Sequence, residues 1–148
     1  MTILVCNTPF DPWHEMARHQ AALGQRGRYG ASACFVGTLR DFNDGETVAA
    51  MTLEHYPGMT EKYLAAISSE AARRWDIMDS LIIHRYGVCE PGDSLVLTAA
   101  WAAHRASAFA ACRYLIEELK TRAPLWKHET VDGGTRWVEH NTPADLCP

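Results

Sequence analysis
Lys120 and Lys127 bracket Pro124 at the end of a helix-forming run, and a His104-Arg105 pair stands at the start of that run. Two ammonium groups flanking a forced chain break, with a third basic group upstream, have the makings of a pocket that holds a phosphate and stabilises developing negative charge. The same lysines also read as solvated cations, since a helix C-terminus favours positive charge. Arg40, at the end of ASACFVGTL, is open in the same way. A strand-end guanidinium is commonly a surface charge, yet its planar fork suits phosphate.

Other chemistries lack their residues. There is no GxxxxGK[ST], no GxGxxG after a strand and no GxSxG elbow, so nucleotide hydrolysis, dinucleotide use and α/β-hydrolase chemistry have no support. HEMARH, from His14 to His19, misses the HExxH zinc pattern, because residues five apart lie about 140° apart around a helix and cannot both face one metal. Both histidines are expected on a solvated helix face, and no other His/Cys/carboxylate group has metal spacing. Glu54 and His55 are acid-base types that nothing local distinguishes from ordinary strand residues.

The elements that must position these groups follow from periodicity. Residues 2–6 read as a strand, and Asp11-Pro12 caps a helix with Trp13, Met16, Ala17 and Ala21 on its apolar face, ending by Gly24. After an exposed glycine-rich link, residues 31–39 form a strand, DFNDGE turns, and VAAMTLEHY returns, which predicts an antiparallel hairpin over 31–56. Thr60 can cap a helix carrying Leu64, Ile67, Ala71 and Trp75 toward the core. SLIIHRYGV and DSLVLTAAWA make a second hairpin through Pro91-Gly92, with His84 and Arg85 structural. Phe109, Cys112, Ile116 and Leu119 then mark the buried face of a helix from Arg105 to about Thr121, LWKHETV is a strand, and TRWVE completes a last hairpin after Gly133-Gly134. Five to seven strands with three helices and no regular βαβ alternation indicate an α+β fold.

Composition sets bounds. The 148 residues fit a single domain, with residues 1–29 as an N-terminal strand, helix and link and 141–148 as a loose tail. A net charge of −4 argues against general nucleic-acid binding, so any anion site is a local concentration of cations. Five scattered cysteines without a CxxC fit free thiols in a reducing compartment, and no run approaches a membrane span or a secretory leader. A soluble, cytoplasmic protein is expected, with no membrane contact.

The motifs GTLRDFNDG (37–45), LEHYPGMTEK (53–62), His104-Arg105 and LKTRAPLWKHE (119–129) occur in the order found in one family. From about Gly30 to Val138 the chain resembles the large, catalytic subunit of molybdopterin synthase. The resemblance implies an α/β-hammerhead arrangement and a sulfurtransferase of molybdenum cofactor biosynthesis. That enzyme converts cyclic pyranopterin monophosphate to the dithiolene molybdopterin, with sulfur from the C-terminal glycine thiocarboxylate of a small ubiquitin-like subunit. Lys120 and Lys127 match the family's catalytic lysines. Thr38, Leu39 and Arg40 of the GTLR turn, His104, Arg105, and Lys127-His128-Glu129 match substrate-contacting positions, Lys120 among them. His128 stands where another basic residue is frequent and Leu125 replaces a common aromatic. No cofactor and no metal are implied for this subunit.

Geometry adds an expectation about assembly. His104-Arg105 open a helix whose far end carries Lys120, and the 15 residues from Arg105 to Lys120, rising about 1.5 Å each, put roughly 22 Å between them. A two-fold homodimer would bring the helix start of one subunit beside the lysines of the other, forming the centre of a heterotetramer with a small subunit at each end. Two rivals stand beside the enzyme: a non-catalytic phosphometabolite-binding or partner-docking module using the same cations, and a thiol-dependent enzyme using Cys34 or Cys112.

Overall fold
The computed structural model describes residues 1–24, 27–43, 46–131 and 134–138. Among them are three helices and nine strands, two of which, β3 (Phe42–Asn43) and β6 (Gly87–Cys89), are too short for periodicity to reveal. The fold is α+β. Residues 139–148, and with them the expected loose tail, lie outside the described residues, as do Gln25 and Arg26 of the link.

The first sheet runs β1 (Thr2–Cys6), β5 (Ile77–Arg85), β7 (Ser94–Ala102), β2 (Ala31–Thr38). β1 lies parallel to β5, and the other pairs are antiparallel. Alternation places Ile82, Val96 and Ala100 against α2 (Met59–Trp75) and α3 (Arg105–Arg122) on one face. Leu81, Ile83, Leu97 and Trp101 face α1 (Pro12–Ala22) on the other. The β5–β7 hairpin forms as its Pro-Gly turn predicts.

The predicted hairpin over 31–56 does not form. β2 pairs with β7, while β4 (Glu46–His55) crosses into a second sheet and pairs with β8 (Leu125–Val131), β6 and β3. β9 (Gly134–Trp137) completes that sheet against β8, as the last expected hairpin. The chain leaves the first sheet at an irregularity between Gly37 and Thr38. A Cβ on Gly37 would stand 2.8 Å from Val96 Cγ1, so only glycine lets the strand lie this close as it turns away.

The helices follow their signals with shifts of face. Asp11 caps α1 by accepting from the backbone N–H groups of Trp13 and His14, with Pro12 in the first turn. Its packed face is Pro12, Met16, His19 and Leu23, whereas Trp13, Ala17 and Ala21 are exposed. His19 is thus not solvated: its ring stacks on Trp101 and its Nε2 lies 3.1 Å from Asp79. His14 is exposed as expected. Thr60 is buried inside α2 and donates from its hydroxyl to the Pro124 carbonyl, while Glu61 takes the N-terminal backbone N–H at Gly58. Leu64, Ile67 and Ala71 fill the core as predicted. On α3 the buried face is Ala108, Ala111, Cys112, Leu115, Ile116 and Leu119, with Phe109 67% exposed. Small residues let this helix sit close to the sheet, which turns the bulky ring outward.

Candidate active site
Where the two sheets meet the C-terminal end of α3, a cavity of about 420 Å³ opens. Three different rules of placement deliver its walls. On α3, Ile116, Leu119 and Lys120 follow the i, i+3, i+4 spacing of a single face. On β8, period two turns Leu125, Lys127 and Glu129 inward and Trp126 outward, where it is exposed. Their register partners Leu53 and Met51 on β4 share that inward face. The third wall is the chain leaving β2, which brings Thr38, Leu39 and Arg40 to the mouth. Two backbone bonds hold this turn, Leu39 N–H to Asp93 O at 2.9 Å and Gly92 N–H to Leu39 O at 2.8 Å. The Arg40 guanidinium lies 5.0 Å from the Phe42 ring centroid, a cation–π contact that leaves its N–H edges to a ligand.

The electrostatics of this cavity favour an entering anion. Burial pushes the Lys127 ammonium below the ordinary lysine pKa, and the neighbouring positive charge of Lys120 pushes the same way, against a smaller opposing pull from Glu129. Glu129, 2% exposed, is committed elsewhere: both its carboxylate oxygens accept from Asn43 Nδ2, at 3.0 and 3.1 Å, and one of them also takes the Arg136 guanidinium at 3.2 Å. Its charge is compensated by that pair, so the cations of Lys120, Lys127 and Arg40 dominate the cavity. Arg122, two residues beyond Lys120, is drawn out of play by Glu70 at 2.8 Å and Glu118 at 3.1 Å.

The sequence-predicted set is therefore divided. Thr38, Leu39, Arg40, Lys120, Lys127 and Glu129 come together in one cavity. His128 faces the other side of β8 and stacks on Trp137, with ring centroids 4.6 Å apart. His104 and Arg105 are exposed at the far end of α3 and do not line the cavity of their own chain. Arg85 is structural as expected, bonded to Asp93 at 2.6 Å and to the Val88 carbonyl. His84, buried and bonded through Nδ1 to the Arg85 carbonyl, also lines the cavity. Nothing in the continuous apolar run SLIIHR announces which sheet face its histidine takes. Asn43, Phe35 and Phe42 are further wall residues that their turn and strand contexts did not single out. Cys112 is a core thiol, pushed up to about 11 by burial, and is no nucleophile at neutral pH.

An α+β domain in which two lysines and an arginine converge on one cavity between two sheets has the layout of a catalytic subunit for an anionic substrate. Comparison with known proteins makes the class specific. The MoaE protein family matches residues 6–122. The molybdopterin synthase catalytic subunit of Ralstonia nicotianae is 49% identical over 93% of this chain and 77% of its own length. That of Pseudomonas aeruginosa is also 49% identical, over 94% of this chain and 91% of its own. The solved molybdopterin biosynthesis MoaE protein of Burkholderia ambifaria superposes with a TM-score of 0.79 at 47% identity, covering 97% of this chain and 92% of that one. The chain belongs to the MoaE protein family.

Proposed function
We propose that this chain is the catalytic, large subunit of a molybdopterin synthase. It moves sulfur from the C-terminal glycine thiocarboxylate of a small ubiquitin-like subunit to cyclic pyranopterin monophosphate, giving the dithiolene of molybdopterin in the cytoplasm. The observation that carries the reading is the convergence of Lys120 from α3 and Lys127 from β8 on one cavity with Arg40 at its mouth. A thiocarboxylate is already nucleophilic, so no protein nucleophile is required. The difficulty is bringing an anionic tail beside an anionic substrate in a partly dry pocket, and two ammonium groups compensate those charges there. The lowered pKa of Lys127 also makes its ammonium a readier proton donor than an ordinary lysine.

A glycine tail fits a narrow cavity because it has no side chains to exclude, and exposed strand edges beside the lysines offer strand addition. His104 and Arg105 join the site across a homodimer, the centre of a heterotetramer with one small subunit at each end. Support for this lies in the exposure of that pair at one end of α3 while Lys120 lines a cavity at the other. Neither nucleic acid nor a membrane has a part in this reading. Reconstitution tests it: the chain, a thiocarboxylated small subunit and the cyclic pterin should yield dithiolene, and removing the donor's last two glycines should abolish it. Binding of the pterin without turnover would instead favour the phosphometabolite-binding or docking module.

A further inference from the structure
Among the described residues that line the cavity, Glu129 alone is acidic, set with Arg40, Lys120 and Lys127. An ionised carboxylate there opposes the anion that the cations attract, and burial strengthens the opposition because little water screens it. Its surroundings answer that charge with a closed ring of bonds from three strands. Asn43 on β3 donates from Nδ2 to both oxygens, and Arg136 on β9 donates from Nε and Nη2 to Oε2, each at 3.2 Å. The same Nη2 reaches the Asn43 carbonyl at 3.1 Å, so one guanidinium fixes the amide residue as well as the carboxylate.

Strand register creates this pair. Glu129 and Arg136 stand directly opposite one another in the β8–β9 ladder, on one face of the sheet. The carboxylate is 2% exposed and the guanidinium 33%, and Arg136 does not line the cavity. The compensating charge therefore meets Glu129 from outside the cavity, whereas Lys127 shares the inside with it. Glu129 exerts the smallest of three influences on the Lys127 ammonium, behind burial and Lys120. We propose that Arg136, together with Asn43, is a positioning residue for the anion site: it holds the Glu129 carboxylate and compensates its charge, so that Glu129 does not cancel the positive charge of Lys127 in the cavity. The inference takes its substrate from the sulfur-transfer reading, but its charge balance is a property of the chain alone.

Two substitutions separate charge from packing. Arg136→Gln keeps a donor at that position and removes the charge, and Glu129→Gln added to it removes the charge left behind at nearly the same shape. Competitive amine labelling across pH, read by mass spectrometry, reports the titration of Lys127. An uncompensated carboxylate favours the charged lysine, so Arg136→Gln should move that titration up by about one pH unit, a tenfold change in proton affinity. The double variant should bring it back to the wild-type position or below. In the reconstituted reaction Arg136→Gln should raise KM for the cyclic pterin about tenfold with a smaller change in kcat, and the second substitution should recover most of that loss. A purely structural role predicts no such recovery. An unmoved Lys127 titration in Arg136→Gln, or a displacement that persists in the double variant, overturns the proposal. Should the wild-type complex make no dithiolene, the sulfur-transfer reading fails while the labelling still decides this one. Where Arg136→Gln does not fold, carbon NMR of the Glu129 carboxyl in Lys127→Ala gives the decision. Its resonance should stay at the ionised position at pH 7, because Arg136 and Asn43 rather than Lys127 hold the charge, and a protonated carboxyl there sinks the idea.

Discussion

The two ends of α3 carry the same kind of charge to opposite ends. At its C-terminal end Lys120 turns into a cavity beside Lys127, while at its N-terminal end His104 and Arg105 face outward, about 22 Å away by helix rise. The difference is one of partners on the sheets. The C-terminal end abuts β8, which returns from Pro124 and supplies the second lysine, and Thr60 of α2 fastens the return by donating to the Pro124 carbonyl. The N-terminal end follows β7 at its edge, where Ala103 and His104 are exposed. A cation becomes part of a site when a second element closes over it, and within one chain only one end of this helix meets that condition.

The largest effect expected from this contrast is at the closed end. Lys120→Ala and Lys127→Ala should each lower turnover on the order of 100-fold or more while leaving Tm nearly unchanged. Lys120→Arg should fail as well, because a planar fork cannot replace a compact ammonium in a fitted cavity. Turnover near the wild-type rate in a folded variant would remove that lysine from the mechanism and dissolve the contrast between the two ends.

A smaller signal sharpens the comparison at the open end. Arg105→Ala and Lys127→Ala chains, each inactive alone, should complement one another when mixed and allowed to exchange. A heterodimer with shared sites keeps one intact site of two, and with random pairing recovery should be about a quarter of wild-type activity. Confirmed heterodimers without recovery would leave Arg105 outside the site and α3 with only one working end.

How much of this was legible follows the same division between local and distant causes. The β5–β7 hairpin, the Asp11-Pro12 cap and the strand after Pro124 are written in neighbouring residues, and they form where expected. Lys120 and Lys127 were singled out by Pro124 and by family motifs, and the fold places them together. The 31–56 hairpin failed because β2 and β4 have better partners far along the chain, in β7 and β8. Periodicity records which residues are apolar but not which strand lies beside them. The same blindness hid His84, in a strand buried on both faces, and misassigned Phe109 and His19. Packing against small side chains rotated α3, and an Asp79 on a distant strand drew in His19.

The smallest expected effect concerns Arg122, two residues past Lys120 on the same helix, whose guanidinium ties α3 to α2 through Glu70. The Tyr114 hydroxyl joins that carboxylate at 2.5 Å. Arg122 is the leading cause, with Tyr114 next, that holds the Glu70 carboxyl down to about 2 from an ordinary value of 4.5. A folded pKa below the unfolded one means that the contribution is complete above about 4.5 and is lost as pH falls toward 2. Arg122→Ala should therefore lower Tm at neutral pH by only about 2 °C, because the pair is partly exposed and solvent screens it. The variant should also flatten the acid limb of a Tm-against-pH curve in that window, and Glu70→Gln should flatten it equally. Turnover should stay near wild type in both, since neither side chain lines the cavity. A loss of activity comparable to Lys120→Ala would show that the last turn of α3 acts as one cationic unit, and that the ion pair serves the site rather than the packing of two helices.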